Sequence, residues 1–139
     1  MSSNNFLSKS LEECDFQLRA VLTGYPAAHL DTKVAPTAMS VRESVEHLAM
    51  VYHATNLIAH GETFDWGSGW STGITDFNQL MEKMFDLRLV AIMACMRTPD
   101  QHEIAMDYIA MHDSYHIGQL CLMRMSVDSA WDPYSLYQH

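Results

Sequence analysis

Histidine is the residue whose number and spacing in this sequence most directly suggest chemistry. Eight histidines occur among 139 residues, and imidazole is the commonest metal ligand in proteins. His112 and His116 are four positions apart, which on a helix stacks their side chains one turn apart, close enough to bind one metal ion. A lone H-x-x-x-H is a weak signal, because two core histidines that hydrogen-bond to their neighbours give the same pattern.

His47 is the candidate for a third metal ligand. It lies at the edge of the predicted buried stripe of its helix, where a histidine is more often a boundary residue. His53 and His60 fall on the opposite face and are expected in solvent, and His29, His102 and His139 have no assigned role. Buried imidazoles need polar partners. No opposing carboxylate is evident on the apolar faces, so a metal ion is the candidate partner for His112 and His116.

Four segments show the 3.6-residue periodicity of amphipathic helices, and none shows convincing strand alternation. Ser40 and Glu43 predict a capping box, Gly61 a C-terminal cap, and Thr75 the N-cap of the third helix. The predicted helices span approximately 4–23, 41–60, 76–97 and 100–125. On the fourth helix, a wheel of 100° per residue places His112, His116 and Gln119 in the core, and Asp113 outside it.

The expected fold is an all-α four-helix bundle that forms a single domain over 1–139. The connection between helices three and four is short, so these two helices should be antiparallel neighbours. The connection over 61–75 is long enough to cross the bundle and start helix three parallel to helix two. This up-down-down-up order makes helices two and four antiparallel and brings His47 to the level of His112 and His116. The aromatic remainder, 126–139, should pack on the bundle or on a partner chain.

The composition argues against several classes of partner and location. The chain has 17 acidic and 8 basic residues, a net charge of −9. Nucleic acid and anionic membranes are therefore unexpected partners, because both require clustered cations. The apolar run over 89–96 is far short of the ~20 residues of a membrane span, and no signal peptide is visible. Cys14, Cys95 and Cys121 form no C-x-x-C pair, which favours buried thiols in a reducing cytoplasm.

Two segments resemble signatures of the DinB-like (DinB/YfiT) superfamily. Residues 112–120, HDSYHIGQL, closely resemble the last-helix signature of that family. Residues 40–48, SVRESVEHL, resemble its second-helix signature, a serine-capped start followed by a His-Leu pair. The tryptophan that often precedes helix two in the family is absent from residues 36–39, PTAM. The resemblance implies an up-down-down-up bundle whose metal ligands are His47, His112 and His116.

The expected function follows from three neutral imidazoles that leave one coordination position open, the catalytic pattern. Zinc or nickel suits such a ligand set. Characterised relatives in the family transfer or isomerise substrates with a low-molecular-weight thiol, which implies a metal-dependent transferase or isomerase with a small-molecule substrate. A hydrolase, a non-catalytic metal-binding stress-associated or interaction protein, and a metal-free bundle are the alternatives. A homodimer is also expected, because residues 126–139 and the Trp66/Trp70 loop offer apolar surface.

Overall fold

The computed structural model describes residues 3–139, with side chains from residue 5 onward, and contains all four predicted helices. Helix α4 is continuous over 102–127 but includes one π-helical turn, Met106–Met111. No strand occurs among the described residues. The helices are α1 (Ser3–Leu22), α2 (Val41–Ala59), α3 (Phe77–Cys95) and α4, whose two α-helical parts are His102–Ala105 and His112–Val127. Short 3-10 helices span Ala27–His29, Pro99–Gln101 and Pro133–Tyr137.

The ends of α2 are fixed by the caps that the sequence predicts. The Ser40 hydroxyl accepts a hydrogen bond from the Glu43 backbone N–H, and the Ser40 N–H donates to the Glu43 carboxylate, both at 3.2 Å. At the other end Gly61 has a φ of +77°, a conformation that glycine adopts without steric cost. The Glu62 N–H then donates to the Leu57 carbonyl at 2.9 Å, which closes a Schellman motif.

The predicted N-cap of α3 was wrong by one residue. Asp76 caps the helix, and its carboxylate accepts from the Gln79 backbone N–H at 2.9 Å. A carboxylate at this position also interacts favourably with the positive end of the helix dipole. The Thr75 carbonyl instead accepts a hydrogen bond from the Arg42 guanidinium at 2.8 Å.

The bundle has the predicted up-down-down-up order. The bond between Arg42 and Thr75 joins the starts of α2 and α3. The Gln101 amide, which follows α3, donates to the Ala59 carbonyl at the end of α2. These two contacts make α2 and α3 parallel. Arg124, near the end of α4, donates to the Val21 carbonyl at the end of α1 at 2.9 Å, so the outer two helices are parallel to each other. They run opposite to α2, because His47 of α2 contacts His116 of α4 whereas the later Tyr52 contacts the earlier Asp113.

The crossover connection between α2 and α3 runs back along α2. Thr72 donates its backbone N–H and its hydroxyl to the Glu46 carboxylate, at 2.6 and 2.8 Å. Trp70 stacks on His53 with 4.7 Å between ring centroids. The expectation that His53 lies in solvent is therefore wrong, since the loop covers it and leaves it half-buried, whereas His60 is exposed as predicted.

The C-terminal segment packs on the bundle, as predicted. Leu136 of the last 3-10 helix is buried in the core. His139 stacks on Phe16 of α1 at 4.2 Å between centroids and lies 3.0 Å from a Glu13 carboxylate oxygen. None of the helices in the described part of the chain combines the length and apolar character that a bilayer crossing requires.

A buried polar cluster joins all four helices at the centre of the bundle. Arg88 of α3 donates to the Asp113 carboxylate of α4 at 3.0 Å and to the Leu11 carbonyl of α1 at 2.8 Å. The Tyr52 hydroxyl of α2 donates to the other oxygen of Asp113. Tyr52 and Asp113 have no solvent exposure, and Arg88 has 3%. The prediction that Asp113 lies outside the core is therefore wrong.

The π-helical turn explains why the helical wheel misplaced Asp113. A π turn takes up one residue more than an α turn, so the buried stripe shifts by about one position after Met111. The buried residues of α4 beyond that turn are Asp113, His116, Ile117, Leu120, Met123 and Arg124. Gln119, which the wheel placed in the core, is exposed.

Replacement of Arg88 by methionine should destabilise the fold by about 3–5 kcal/mol, because it leaves the Asp113 carboxylate buried without a countercharge. Equilibrium urea denaturation measures this loss. Lys33→Met is the matched control, since Lys33 forms only an exposed ion pair, 3.5 Å from Glu43, and its loss should cost less than about 1 kcal/mol. Equal costs for the two variants would show that the buried ion pair is unimportant for stability.

Candidate metal centre

Three imidazole nitrogens converge between α2 and α4. His112 Nε2 lies 3.2 Å from His47 Nε2 and 3.1 Å from His116 Nε2. The three ligand atoms all lie within 4.8 Å of one another. The three histidines that the sequence predicts as ligands therefore form one cluster.

The antiparallel arrangement of α2 and α4 positions the cluster. His47 lies in the second turn of α2, and His112 and His116 occupy the first turns of α4 after the π-helical segment. Tyr52 and Asp113 join the same two helices through a buried hydrogen bond. Because Asp113 lies between the two α4 histidines in sequence, this bond fixes the rotation of α4 that turns His112 and His116 towards His47.

Hydrogen bonds among the described residues do not satisfy the three rings. The Nδ1 atoms of His112 and His116 are buried and have no hydrogen-bond partner. His112 Nε2 faces two other Nε2 atoms, although a neutral imidazole nitrogen carries either one proton or one lone pair. A cation within reach of the three Nε2 atoms would instead satisfy their lone pairs together.

The surroundings keep the three imidazoles neutral. Burial lowers the pKa of His112 to about 4, and positive charge on His116 and His47 would lower it further. Burial also lowers the pKa of His116 to about 4, with His47 contributing, and it lowers the pKa of His47. At pH 7 all three rings therefore have a lone pair available for a metal ion without first losing a proton.

The cluster fits a divalent metal ion with an open coordination position. Zinc–imidazole bonds of about 2.0–2.1 Å in a tetrahedral arrangement place ligand nitrogens about 3.3 Å apart, close to the spacings from His112 Nε2. Among the described residues no fourth histidine, cysteine or carboxylate joins the group. Three nitrogen ligands without a fourth protein ligand are typical of catalytic rather than structural sites.

Tyr115 and Gln119 form the rim of the cluster. The Tyr115 ring meets the His116 ring edge-on at 5.1 Å between centroids, and the Gln119 amide donates to the Tyr115 hydroxyl at 3.0 Å. Gln119 and Ser44 also line a cavity of about 240 Å³ between the start of α2 and α4. A larger cavity of about 550 Å³ between α1 and α3 contains none of the three histidines and has no evident part in the site.

The residues that sequence reasoning missed are Arg88 and Asp113. Arg88 falls on the apolar face of α3, four residues after Met84 and three before Ala91. An arginine in the middle of such a face requires a buried carboxylate partner. That requirement was the available signal for Arg88, and the structure shows that its partner is Asp113.

Comparisons with known proteins add no relative: no family model, curated protein or solved structure matches the chain. The resemblance to the DinB-like superfamily therefore rests on the motifs around His47 and His112.

The purified protein should bind one divalent ion per chain, and His47→Ala, His112→Ala or His116→Ala should weaken zinc binding by more than about 100-fold. Mutation of a group that only hydrogen-bonds to a metal ligand typically lowers metal affinity 10–100-fold. Loss of a ligand itself should lower the affinity at least as much. Equilibrium dialysis with elemental analysis measures both quantities.

His60→Ala is the control for metal binding, since His60 is exposed and lies at the far end of α2. It should bind zinc like the unchanged protein. A comparable loss in His60→Ala, or full binding in all three cluster variants, would contradict the assignment of the site.

Proposed function

We propose that this protein is a metal-dependent transferase or isomerase of the DinB-like superfamily that acts on a small molecule with a low-molecular-weight thiol. The observation that carries the proposal is the convergence of three neutral Nε2 atoms without a fourth protein ligand among the described residues. The motifs that contain these histidines support the choice of family.

The three histidines would hold the ion, with zinc and nickel both suited to imidazole. When bound, the ion supplies a Lewis acid that favours the thiolate form of a thiol at neutral pH. The protein contributes the fixed ring positions. Tyr115 contacts the His116 ring and accepts from Gln119, so both side chains restrict the approach to the cluster.

The hydrogen-bond partners of Asp113 favour thiol chemistry over hydrolysis. Asp113 and Glu46 are the carboxylates adjacent in sequence to the ligands. The two Asp113 oxygens accept from Tyr52 and Arg88, and the two Glu46 oxygens accept from Thr72. Neither carboxylate is therefore available as a general base for a water molecule. A thiol that ionises at the metal needs no such base.

The lack of a free carboxylate next to the cluster also supports a second candidate function, a non-catalytic metal-binding protein. A metal site without a free acid or base can store or sense an ion as well as promote a reaction. This candidate predicts tight metal binding and no thiol transfer.

Metal-loaded protein should accelerate the conjugation of bacillithiol or mycothiol to a fluorogenic bimane electrophile. The rate should fall more than about 100-fold after chelation or in His112→Ala, because either change removes the group that ionises the thiol. Stopped-flow fluorescence measures the rate, and His60→Ala should retain it.

Two outcomes would reject the enzyme hypothesis. Equal rates with and without metal would show that the cluster takes no part in the reaction. One bound ion per chain together with no thiol-dependent turnover would support the non-catalytic alternative.

A further inference from the structure

The outer face of α4 has an apolar seam that none of the described residues covers. Its four large side chains are about half exposed or more, with exposed fractions of 62% for Met111, 63% for Tyr115, 58% for Leu122 and 47% for Met125. Exposed Gly118 lies between them. We call these five residues the α4 seam: Met111, Tyr115, Gly118, Leu122 and Met125.

The spacing of the α4 seam is that of a coiled-coil contact. Successive members are four, three, four and three residues apart, the spacing of heptad a and d positions. At 100° per residue they lie within an arc of about 80° and extend along about 21 Å of helix. A contact of this kind packs against a second helix, so the spacing indicates a helical partner.

The α4 seam is free of charge in a strongly acidic protein. No Asp, Glu, Lys or Arg flanks it on either side between Met111 and Ser126; the flanking residues are His112, Ser114, Gln119, Cys121 and Ser126. The nearest acidic flank residues, Asp107 and Asp128, lie at its two ends. Two chains of net charge −9 can therefore approach along this face without like charges meeting in the middle, and depletion of charge is typical of interface cores.

The α4 seam is also complementary to itself. In an antiparallel pair of helices, a positions of one copy face d positions of the other. One register places Met111 opposite Leu122 of the second copy, and Tyr115 opposite Gly118 of the second copy. A Cβ added at Gly118 would meet no atom within 4 Å, so the position has room for an aromatic ring. Tyr115, the largest residue of the seam, thus packs against Gly118, the smallest, at two symmetry-related places in the dimer.

The surface beside the α4 seam extends this contact. Gly118 also borders a hollow of about 480 Å³ whose wall includes Tyr134 and Tyr137, which are 71% and 72% exposed. A large side chain has roughly 150–250 Å² of accessible surface. At their exposed fractions, the seam and these two tyrosines together expose about 700 Å² of surface per copy. A standard-size interface buries about 800 Å² per partner.

We infer that the protein forms an antiparallel homodimer through the α4 seam, with Tyr115 of each copy packed over Gly118 of the other. Of the two surfaces that the sequence suggested, this one includes Tyr134 and Tyr137 of residues 126–139 but not the Trp66/Trp70 loop. Because Tyr115 touches His116, the dimer brings Tyr115 and Gln119 of the second copy close to the rim of the metal cluster. The contact itself requires no metal.

Sedimentation equilibrium of the full chain tests the interface. The unchanged protein should be a dimer at about 10–50 µM, and Leu122→Glu should raise the dimer dissociation constant by at least about 100-fold, because two charges enter the seam. Leu89→Glu is the matched control, since Leu89 on α3 is also 58% exposed and its charge should leave the dimer intact.

Gly118→Leu gives a second variant whose fold is not at risk. Leucine favours helix over glycine, and its Cβ has free space in the single chain, so the variant should keep its helical circular dichroism yet become monomeric. A monomeric unchanged protein at these concentrations, or a dimer that survives both Leu122→Glu and Gly118→Leu, would overturn the inference.

Disulfide trapping in a Cys121→Ser background tests the register. A mixture of Met111→Cys and Leu122→Cys proteins should cross-link, while Met111→Cys alone should not. Cross-linking of Met111→Cys to itself, without cross-linking in the mixture, would contradict the antiparallel arrangement.

Discussion

The buried ion pair between Arg88 and Asp113 is the interaction on which the arrangement of this bundle depends. Removal of both charges from water is costly, and the cost is offset only when every remaining polar group has a partner. Here the Arg88 guanidinium also reaches α1, and the Asp113 carboxylate also receives the Tyr52 hydroxyl from α2. Burial raises the pKa of Asp113 to about 6, with Arg88 and Tyr52 opposing the rise, so the carboxylate is ionised at pH 7. One cluster therefore sets the relative positions of four helices.

The geometry of the three-histidine cluster depends on this ion pair. Asp113 and the two α4 histidines leave the same helix in different directions, so a rotation that buries Asp113 against α3 turns His112 and His116 towards α2. The π-helical turn, Met106–Met111, supplies the extra residue that makes this rotation compatible with the rest of α4. The polar interior is thus divided in two: a charged cluster that holds the helices together, and an uncharged cluster of imidazoles that can accept a cation.

Much of this arrangement could be predicted from the sequence, because the decisive signals were local. The Ser40–Glu43 capping box, the periodicity of α1 to α3 and the length of the crossover connection gave the helices and their order. The spacing of His112 and His116, with His47 at the matching level, predicted the three histidines that form the cluster. The rotation of α4 could not be predicted in the same way, since a π turn leaves no reliable trace in hydrophobic periodicity. An error of one position was enough to move Asp113 from the core to the surface.

X-ray absorption spectroscopy of the zinc-loaded protein tests most directly whether His47, His112 and His116 bind a metal ion and leave one position open. The spectrum should show three imidazole nitrogens at about 2.0–2.1 Å and one light ligand that exchanges with solvent or an added thiol. A protein sulfur ligand at about 2.3 Å in the absence of added thiol, or a fourth protein ligand that does not exchange, would contradict this mode of binding.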